Sequence, residues 1–139
     1  AMPCYVAETD EIARKDAAPH IESLFNRFIM SPAQYKLPPG YSSLNSYKAV
    51  MASKYAVRKN YLTCEALIEN GMFLCGSAAT VAEKLEEYQK EMGFGNIAPM
   101  LQFGTLPPEL TEKNLRIFAS EVIPKVRHLG VTPATVAAE

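Results

Sequence analysis

Residues 69–93 read ENGMFLCGSAATVAEKLEEYQKEMG, and the fold class turns on them. MFLC at 72–75 is a short apolar run of the kind that forms a buried strand, Gly76 permits a sharp turn, and Ser77 is placed to cap a helix over 78–92. Within that helix Val81, Leu85, Tyr88 and Met92 recur at helical spacing, while Glu83, Lys84, Glu86, Glu87, Lys90 and Glu91 supply a wet face. Gly93 stands where a left-handed stop costs least. NIAPMLQF at 96–103 then reads as a second buried strand. Strand, helix, strand in one sheet implies a parallel pair with a crossover, so the spacing predicts MFLC and NIAPMLQF lying side by side in an α/β fold.

Working outward, the chain has 139 residues, 48% hydrophobic and 21% charged, with a net charge of −1, which is enough material for one core. Its basic residues neither cluster nor alternate with aromatics, which argues against nucleic acid as a partner. No apolar run approaches a membrane span and the first residues carry no signal pattern, so the expectation is a cytoplasmic protein. Ala1-Met2 reads as a cloning remnant, leaving 3–127 as the structured part and 128–139 as a tail without periodicity. Cys4, Cys64 and Cys75 are odd in number, contain no C-x-x-C, and suit free thiols in a reducing compartment. His20 and His128 have no thiol or carboxylate at ligand spacing, and no metal site is expected.

CYVA at 4–7 is a strand candidate, followed by Thr9 or Asp10 as the cap of a helix to about Ala18, where Pro19 either kinks it or begins another. Ile21, Leu24, Phe25, Phe28 and Ile29 form an apolar stripe that needs a partner surface. SPAQYKLPPGY at 31–41 is a loop by its prolines and glycine. Ser42 or Ser43 opens a helix with Leu44, Tyr47, Met51 and Tyr55 inward and Lys48, Lys54, Arg58 and Lys59 outward, and a shorter helix follows over 64–68. Residues 31–70 are therefore a helical insertion of the length at which lids occur. In the last helix Leu115, Phe118, Val122 and Val126 are the expected apolar side, with Pro124 bending or restarting it.

Several blocks carry a family resemblance. Gly76-Ser77 with Val81-Ala82-Glu83-Lys84-Leu85, then Gln102-Phe103-Gly104 with Leu106-Pro107, then Phe118-Ala119 through Glu121-Val122-Ile123-Pro124, resemble the C-terminal end of the bacterial-luciferase-like flavin monooxygenases. Tyr5-Val6-Ala7-Glu8-Thr9 with Ala13-Arg14, and Leu37-Pro38-Pro39-Gly40-Tyr41, resemble a subgroup of that family; Ala78 departs from it where many members have proline. The resemblance implies part of a (β/α)8 TIM barrel, roughly its last three βα units, helix-rich with a small parallel sheet. A whole barrel takes about 250 residues.

The same resemblance implies that the intact chain is a flavin-dependent monooxygenase. It would use reduced FMN and O2 to insert oxygen into a small organic substrate, fed by a flavin reductase. The present piece would be inactive and bind no cofactor of its own. Two alternatives stand beside this reading: a non-catalytic luciferase-like partner subunit, and a deazaflavin-dependent oxidoreductase of the same superfamily. Three strands cannot close a barrel, so rearranged packing, a homodimer or other self-association, or both, is expected of the piece.

Each candidate site has a plain counterpart. Gly76 and Ser77 form a turn able to receive the flavin phosphate at a helix N-terminus, or else a tight turn with an N-cap. Lys54, Arg58 and Lys59 lie where the family resemblance places a mobile segment over the reacting flavin, and could meet an anion, or else are a solvated basic face. Gln102 and Phe103 end a strand near the implied barrel mouth, facing substrate or flavin, or else filling space. Cys75 is either a reactive thiol at a strand end or a packed residue; no catalytic residue is assigned.

Overall fold

The centre of the protein is strand β1, Met2–Ala7, whose last five residues are all buried. In the computed structural model, which describes residues 1–29, 40, 43–52 and 61–129, β1 is followed by helix α1 (Asp10–Ser23) running into a π-helical turn at Leu24–Phe28. Helices α2 (Leu44–Ala52) and α3 (Cys64–Glu69), strand β2 (Leu74–Ser77), helix α4 (Ala78–Met92) and the two-residue strand β3 (Pro99–Met100) come next. Helix α5 (Pro108–Ile117), a second π-helical turn at Phe118–Val122 and the short α6 (Ile123–Val126) complete the order.

The sheet is open, parallel and three-stranded, in the order β2-β1-β3. Cys4 to Ala7 lie opposite Leu74 to Ser77, and Met2 and Pro3 lie opposite Pro99 and Met100. The expected side-by-side pairing of MFLC with NIAPMLQF is therefore corrected: β1 lies between them. The reason is in the residues. β1 is apolar on both sides and can be covered on both faces and both edges, which is the environment of a central parallel strand. Only Pro99 and Met100 of the expected eight-residue second strand are extended in the sheet, and β2 begins two residues later than expected and carries Gly76 and Ser77 within it.

Helices cover both faces. On one, Tyr5, Ala7 and Cys75 pack with Ala13, Ala17 and Ile21 of α1, Phe25, and Cys64 and Leu67 of α3. On the other, Cys4, Val6 and Leu74 pack with Ala78, Val81 and Leu85 of α4 and with Phe118 and Val122. The alternation along β1, Cys4 and Val6 one way, Tyr5 and Ala7 the other, feeds both cores from one strand. Among the described residues no helix is long and apolar enough to cross a membrane.

Three helix ends follow the sequence expectation: Thr9 Oγ1 accepts the Ile12 amide of α1, Ser77 Oγ accepts the Thr80 amide of α4, and Gly93 closes α4 at φ +64°. Thr63, whose Oγ1 accepts the Ala66 amide of α3, is a cap that the sequence reading did not single out, and α5 opens at Pro108, ahead of Glu109 and Thr111. Pro19 neither ends nor splits α1, which runs through it. Pro124, in contrast, stands in the first turn of α6 and marks a restart, as its chemistry predicts.

The apolar stripes are covered only in part. Ile21 and Phe25 are buried while Phe28 and Ile29 are exposed, because the π-helical turn inserts extra rotation and carries the later positions off the core. On the last helix Phe118 and Val122 are buried, but Leu115 is exposed and the inward position is Asn114. Met92, expected in the stripe of α4, is exposed at the helix end, and so are Leu44 and Tyr47 on α2. The loop proposed over 31–41 falls almost wholly outside the described residues, as do the tail from 130 and Tyr55 on the second helix.

Candidate functional site

Parallel pairing of β1 and β2 brings Ala7 opposite Ser77, so the starts of α1 and α4 leave the sheet next to each other. Asp10, the first residue of α1, reaches across. Its Oδ1 accepts the Ser77 amide at 2.6 Å and its Oδ2 accepts the Thr80 hydroxyl at 3.1 Å. Ser77 Oγ shares a 3.0 Å hydrogen bond with Thr80 Oγ1, which closes the turn. A helix N-terminus favours a negative charge, and here the chain supplies its own. The Ser77 amide, together with the Thr80 hydroxyl, holds the Asp10 carboxyl below the usual carboxylate range against the opposing effect of partial burial.

Gly76 belongs to the same device. A Cβ there would lie 2.8 Å from Asp10 Oδ1 and 3.0 Å from the Thr80 side chain, so only glycine lets the carboxylate approach the turn. The pair Gly76-Ser77 thus sits where the sequence places it, at a strand end and a helix start, and the anion found there is Asp10. An incoming phosphate would meet a carboxylate already bonded to the Ser77 amide, and the residues present do not fit it.

Beside this turn runs an open groove of about 430 Å³, lined by Arg14, Phe73, Cys75, Thr80, Lys84 and Tyr88 among others. Arg14 stands one helical turn beyond Asp10, and its charge favours the ionised forms of Asp10, Cys64 and Cys75. Cys64 and Cys75 belong to one buried cluster, which brings together two cysteines the sequence showed only as distant and unrelated. The interaction between the two thiols lowers the pKa of Cys64 and, ahead of burial, raises that of Cys75. Cys4, on the other face of the sheet, is pushed up to about 12 by burial alone.

At the carboxyl end of β1 a second polar seam joins the helices. Lys113 Nζ lies 2.8 Å from Glu8 and 3.9 Å from Asp16, and the Tyr5 hydroxyl donates to Asp16 at 3.4 Å. The Lys113 hydrogen bond lowers the Glu8 carboxyl, and burial followed by the Asp16 charge raises the Tyr5 phenol. Every charge in this seam has a partner, and the seam ties α1 and α5 to the central strand.

The remaining sequence candidates separate. Phe103 is buried, its ring edge-on to Tyr5 at 6.4 Å and to Phe73 at 5.4 Å between centroids, and it fills the core. Gln102 is exposed just past β3. Lys54, Arg58 and Lys59 lie outside the described residues, and with them the central part of the proposed lid.

Sequence reasoning missed two residues that organise this end of the molecule. Asp10 was visible only as a helix start. Asn114 was hidden in an apolar pattern, yet it is fully buried: its Oδ1 accepts the Val6 amide at 2.8 Å, and its Nδ2 donates to the Cys4 and Leu101 carbonyls, each at 2.9 Å. The signal was its place at i−4 from Phe118 and i−8 from Val122, on the buried stripe. Among the described residues no cluster of three or more His, Cys, Asp or Glu could hold a metal ion. Comparison with family models, with curated proteins and with solved structures returns no match for this chain.

Proposed function

We propose that the chain is the C-terminal part of a luciferase-like flavin-dependent monooxygenase. In the intact chain it would contribute the last βα units of a (β/α)8 barrel. The observation that carries this reading is the ordered set of sequence blocks, Gly76-Ser77 with residues 81–85, Gln102-Phe103-Gly104, and Phe118 to Pro124. Two features of the fold support it: the strands are parallel, and Gly76-Ser77 opens a helix from a strand's carboxyl end, where α/β enzymes place their sites.

On this reading the 139-residue chain is inactive and does not hold FMN. Asp10 occupies the anion position at Ser77, Phe103 is packed inside the core, and helices cover both faces of the sheet. The reduced flavin would supply the oxygen chemistry in the intact enzyme, held by segments other than those described here, with a flavin reductase and a small organic substrate as partners. Self-association of this chain belongs to the same proposal.

The test has two arms. The complete natural reading frame is expressed and assayed for flavin retention and for oxygen uptake dependent on reduced FMN; both are expected. The 139-residue chain is titrated with oxidised FMN by fluorescence quenching, and no saturable binding is expected. A complete reading frame with neither property overturns the monooxygenase reading, and tight FMN capture by the short chain overturns its incompleteness. One observation favours a second reading, that of a non-catalytic luciferase-like partner subunit: the built-in carboxylate at the Ser77 turn. That reading expects a complete frame that binds an active chain and takes up no oxygen alone.

A further inference from the structure

We infer that the outer edge of β2 is the surface through which two copies of this chain pair, antiparallel and two-fold about Leu74, joining two three-stranded sheets into one of six strands. The inference rests on the self-association proposed above, to which it gives a surface, and on nothing of the flavin chemistry. β2 ends the order β2-β1-β3, so among the described residues one of its edges has no strand beside it.

Alternation along the strands decides which main-chain groups lie on that edge. The Val6 amide and the Cys4 carbonyl point to Asn114 on the β3 side, and the Met2 amide points to the Ala98 carbonyl on the same side. Tyr5 and Ala7 therefore face β2, and in the parallel register of Tyr5 with Cys75 they meet the main chain of Leu74 and Gly76. Cys75 and Ser77 are left turned outward. Ser77 agrees, since its amide is taken by Asp10 at 2.6 Å and not by β1. Phe73 keeps the alternation: its side chain joins Cys75 and Tyr5 in one cluster, while Leu74 joins the other. Among the described residues no hydrogen bond outside the ladder reaches the N–H or C=O of Phe73 or Cys75. Both residues line the groove of about 430 Å³ and are only 1% and 5% exposed. Buried peptide groups without partners, on an open edge, are a template for another strand.

The same groups set the register. A two-fold at Leu74 places Phe73 opposite Cys75 of the second copy, and Cys75 opposite its Phe73, so that each pair exchanges two hydrogen bonds and Leu74 meets Leu74 between them. A two-fold at Cys75 would instead place Phe73 opposite Ser77, whose amide Asp10 already holds. The groove charges select the direction. Arg14 stands one turn along α1 from Asp10, at the carboxyl end of β2, whereas Glu69 precedes the strand and Glu91 ends the helix that runs back from it. None of these three has an ion pair among the described residues, and Lys84 and Glu87 between them pair with each other at 2.6 Å. Arg14 and Glu69 belong to α1 and α3, which cover the same face of the sheet. An antiparallel copy lays the basic end of one groove on the acidic end of the other; a copy running the same way would set like charge on like.

The experiment uses the full chain without flavin. Sedimentation velocity from about 1 µM to about 1 mM, a span that covers weak pairing, is expected to show a monomer passing to a dimer. Hydrogen exchange is expected to slow at the Phe73 and Cys75 amides in step with the dimer fraction, with the Val6 amide, bonded to Asn114, unchanged. In a mixture of isotope-labelled and unlabelled protein, Leu74 is expected to contact Leu74 of the other copy. Arg14 and Glu69 are exposed, so both can be changed without touching the core. Arg14→Glu is expected to weaken the dimer about tenfold or more, and adding Glu69→Lys to restore most of that loss. A monomer over the whole range, a dimer without new protection at Phe73 and Cys75, a dimer whose Leu74 residues do not meet, or a loss that Glu69→Lys does not relieve each overturn the inference. A short chain that stays monomeric beside a complete reading frame that protects both amides identifies the neighbour as an earlier strand of the same chain, and overturns the second copy. Flavin enters none of these readouts, so this inference and the monooxygenase reading fail separately.

Discussion

Replacing Asn114 by alanine tests the least expected feature of the fold. β3 pairs with β1 at Met2 and Pro3, after which, among the described residues, that edge of β1 has no strand beside it. The Asn114 amide takes that place. It receives the Val6 N–H at 2.8 Å and donates to the Cys4 carbonyl at 2.9 Å, as a neighbouring peptide group would, and its other N–H holds the Leu101 carbonyl at 2.9 Å. All its polar capacity except one lone pair is used. Three hydrogen bonds at about 1 kcal/mol net each set the scale, and leaving the buried Val6 N–H without a partner adds to it, so Asn114→Ala is expected to cost about 3–4 kcal/mol. That is a large share of the ~5–15 kcal/mol that holds a domain together.

An exposed control separates this from generic damage. Arg116 and Glu112 form an i,i+4 pair at 2.6 Å on the surface of the same helix, and Arg116→Ala is expected to cost no more than about 0.5 kcal/mol. Urea denaturation followed by circular dichroism gives both numbers, and hydrogen exchange gives the local one, with the Val6 amide losing protection in Asn114→Ala. Asn114→Asp adds a sign. One oxygen still accepts from Val6, but the other faces two carbonyl oxygens and is tolerated only when protonated, so the folded pKa is raised above the unfolded value of ~3.9. This variant should be most stable in acid and lose stability as pH rises from about 4 through its folded pKa. Asn114→Ala costing less than about 1 kcal/mol, with Val6 protection unchanged, would refute the edge-partner account.

Two further substitutions and one titration follow from the geometry. Gly104 has φ +55° and a Cβ there would run into the His20 carbonyl oxygen, whereas Gly93 has φ +64° in open space; Gly93→Ala should cost about 1–2 kcal/mol for the left-handed backbone alone, and Gly104→Ala distinctly more, by the same urea assay. Asp10 has a folded pKa below its unfolded one, so its contribution is present above pH ~4 and is lost as pH falls through the folded value. Asp10→Asn should therefore remove about 1 kcal/mol at pH 7 and flatten the acid limb of the stability profile; a variant as acid-sensitive as the parent would show that other carboxylates set that limb.

What the sequence made legible were local signals. Ser77 as a cap, Gly93 as a stop and Pro124 as a restart were readable because each acts through its own backbone, and the 78–92 helix followed from its periodicity. Strand order was not readable, since the pattern of β3 says that it is apolar and extended but not which neighbour it takes. β1 won the centre by being covered on both faces. The stripe at Ile21 to Ile29 failed at Phe28 because a π-helical turn is set by tertiary packing and leaves no mark in a 3.6-residue pattern. Of the candidate site, the turn at Gly76-Ser77 was legible and its occupant was not: Asp10 and Ser77 are adjacent only because β1 and β2 pair in parallel.

Asp10 and Asn114 share a logic with Glu22 near the end of α1 and Asn26 in the π-helical turn that follows it. Glu22 accepts the Cys64 amide at 2.8 Å, and Asn26 both accepts the Leu62 amide at 2.9 Å and donates to the Leu62 carbonyl at 2.8 Å. Four polar side chains thus satisfy main-chain groups at Ser77, Val6, Cys4, Leu101, Cys64 and Leu62, each at a strand edge, a helix start or the approach to one. Buried peptide groups without partners are costly, and a sheet this small offers too few strands to supply them. Side chains that stand in for missing strands give a three-stranded sheet closed edges at those points, and the one that closes the Ser77 turn does so with a negative charge. The groups that make this fold self-sufficient are therefore the same groups that exclude a phosphate from its best anion position, so any variant that opens that position, Asp10→Asn first among them, should loosen the junction of α1 and α4 in the same step.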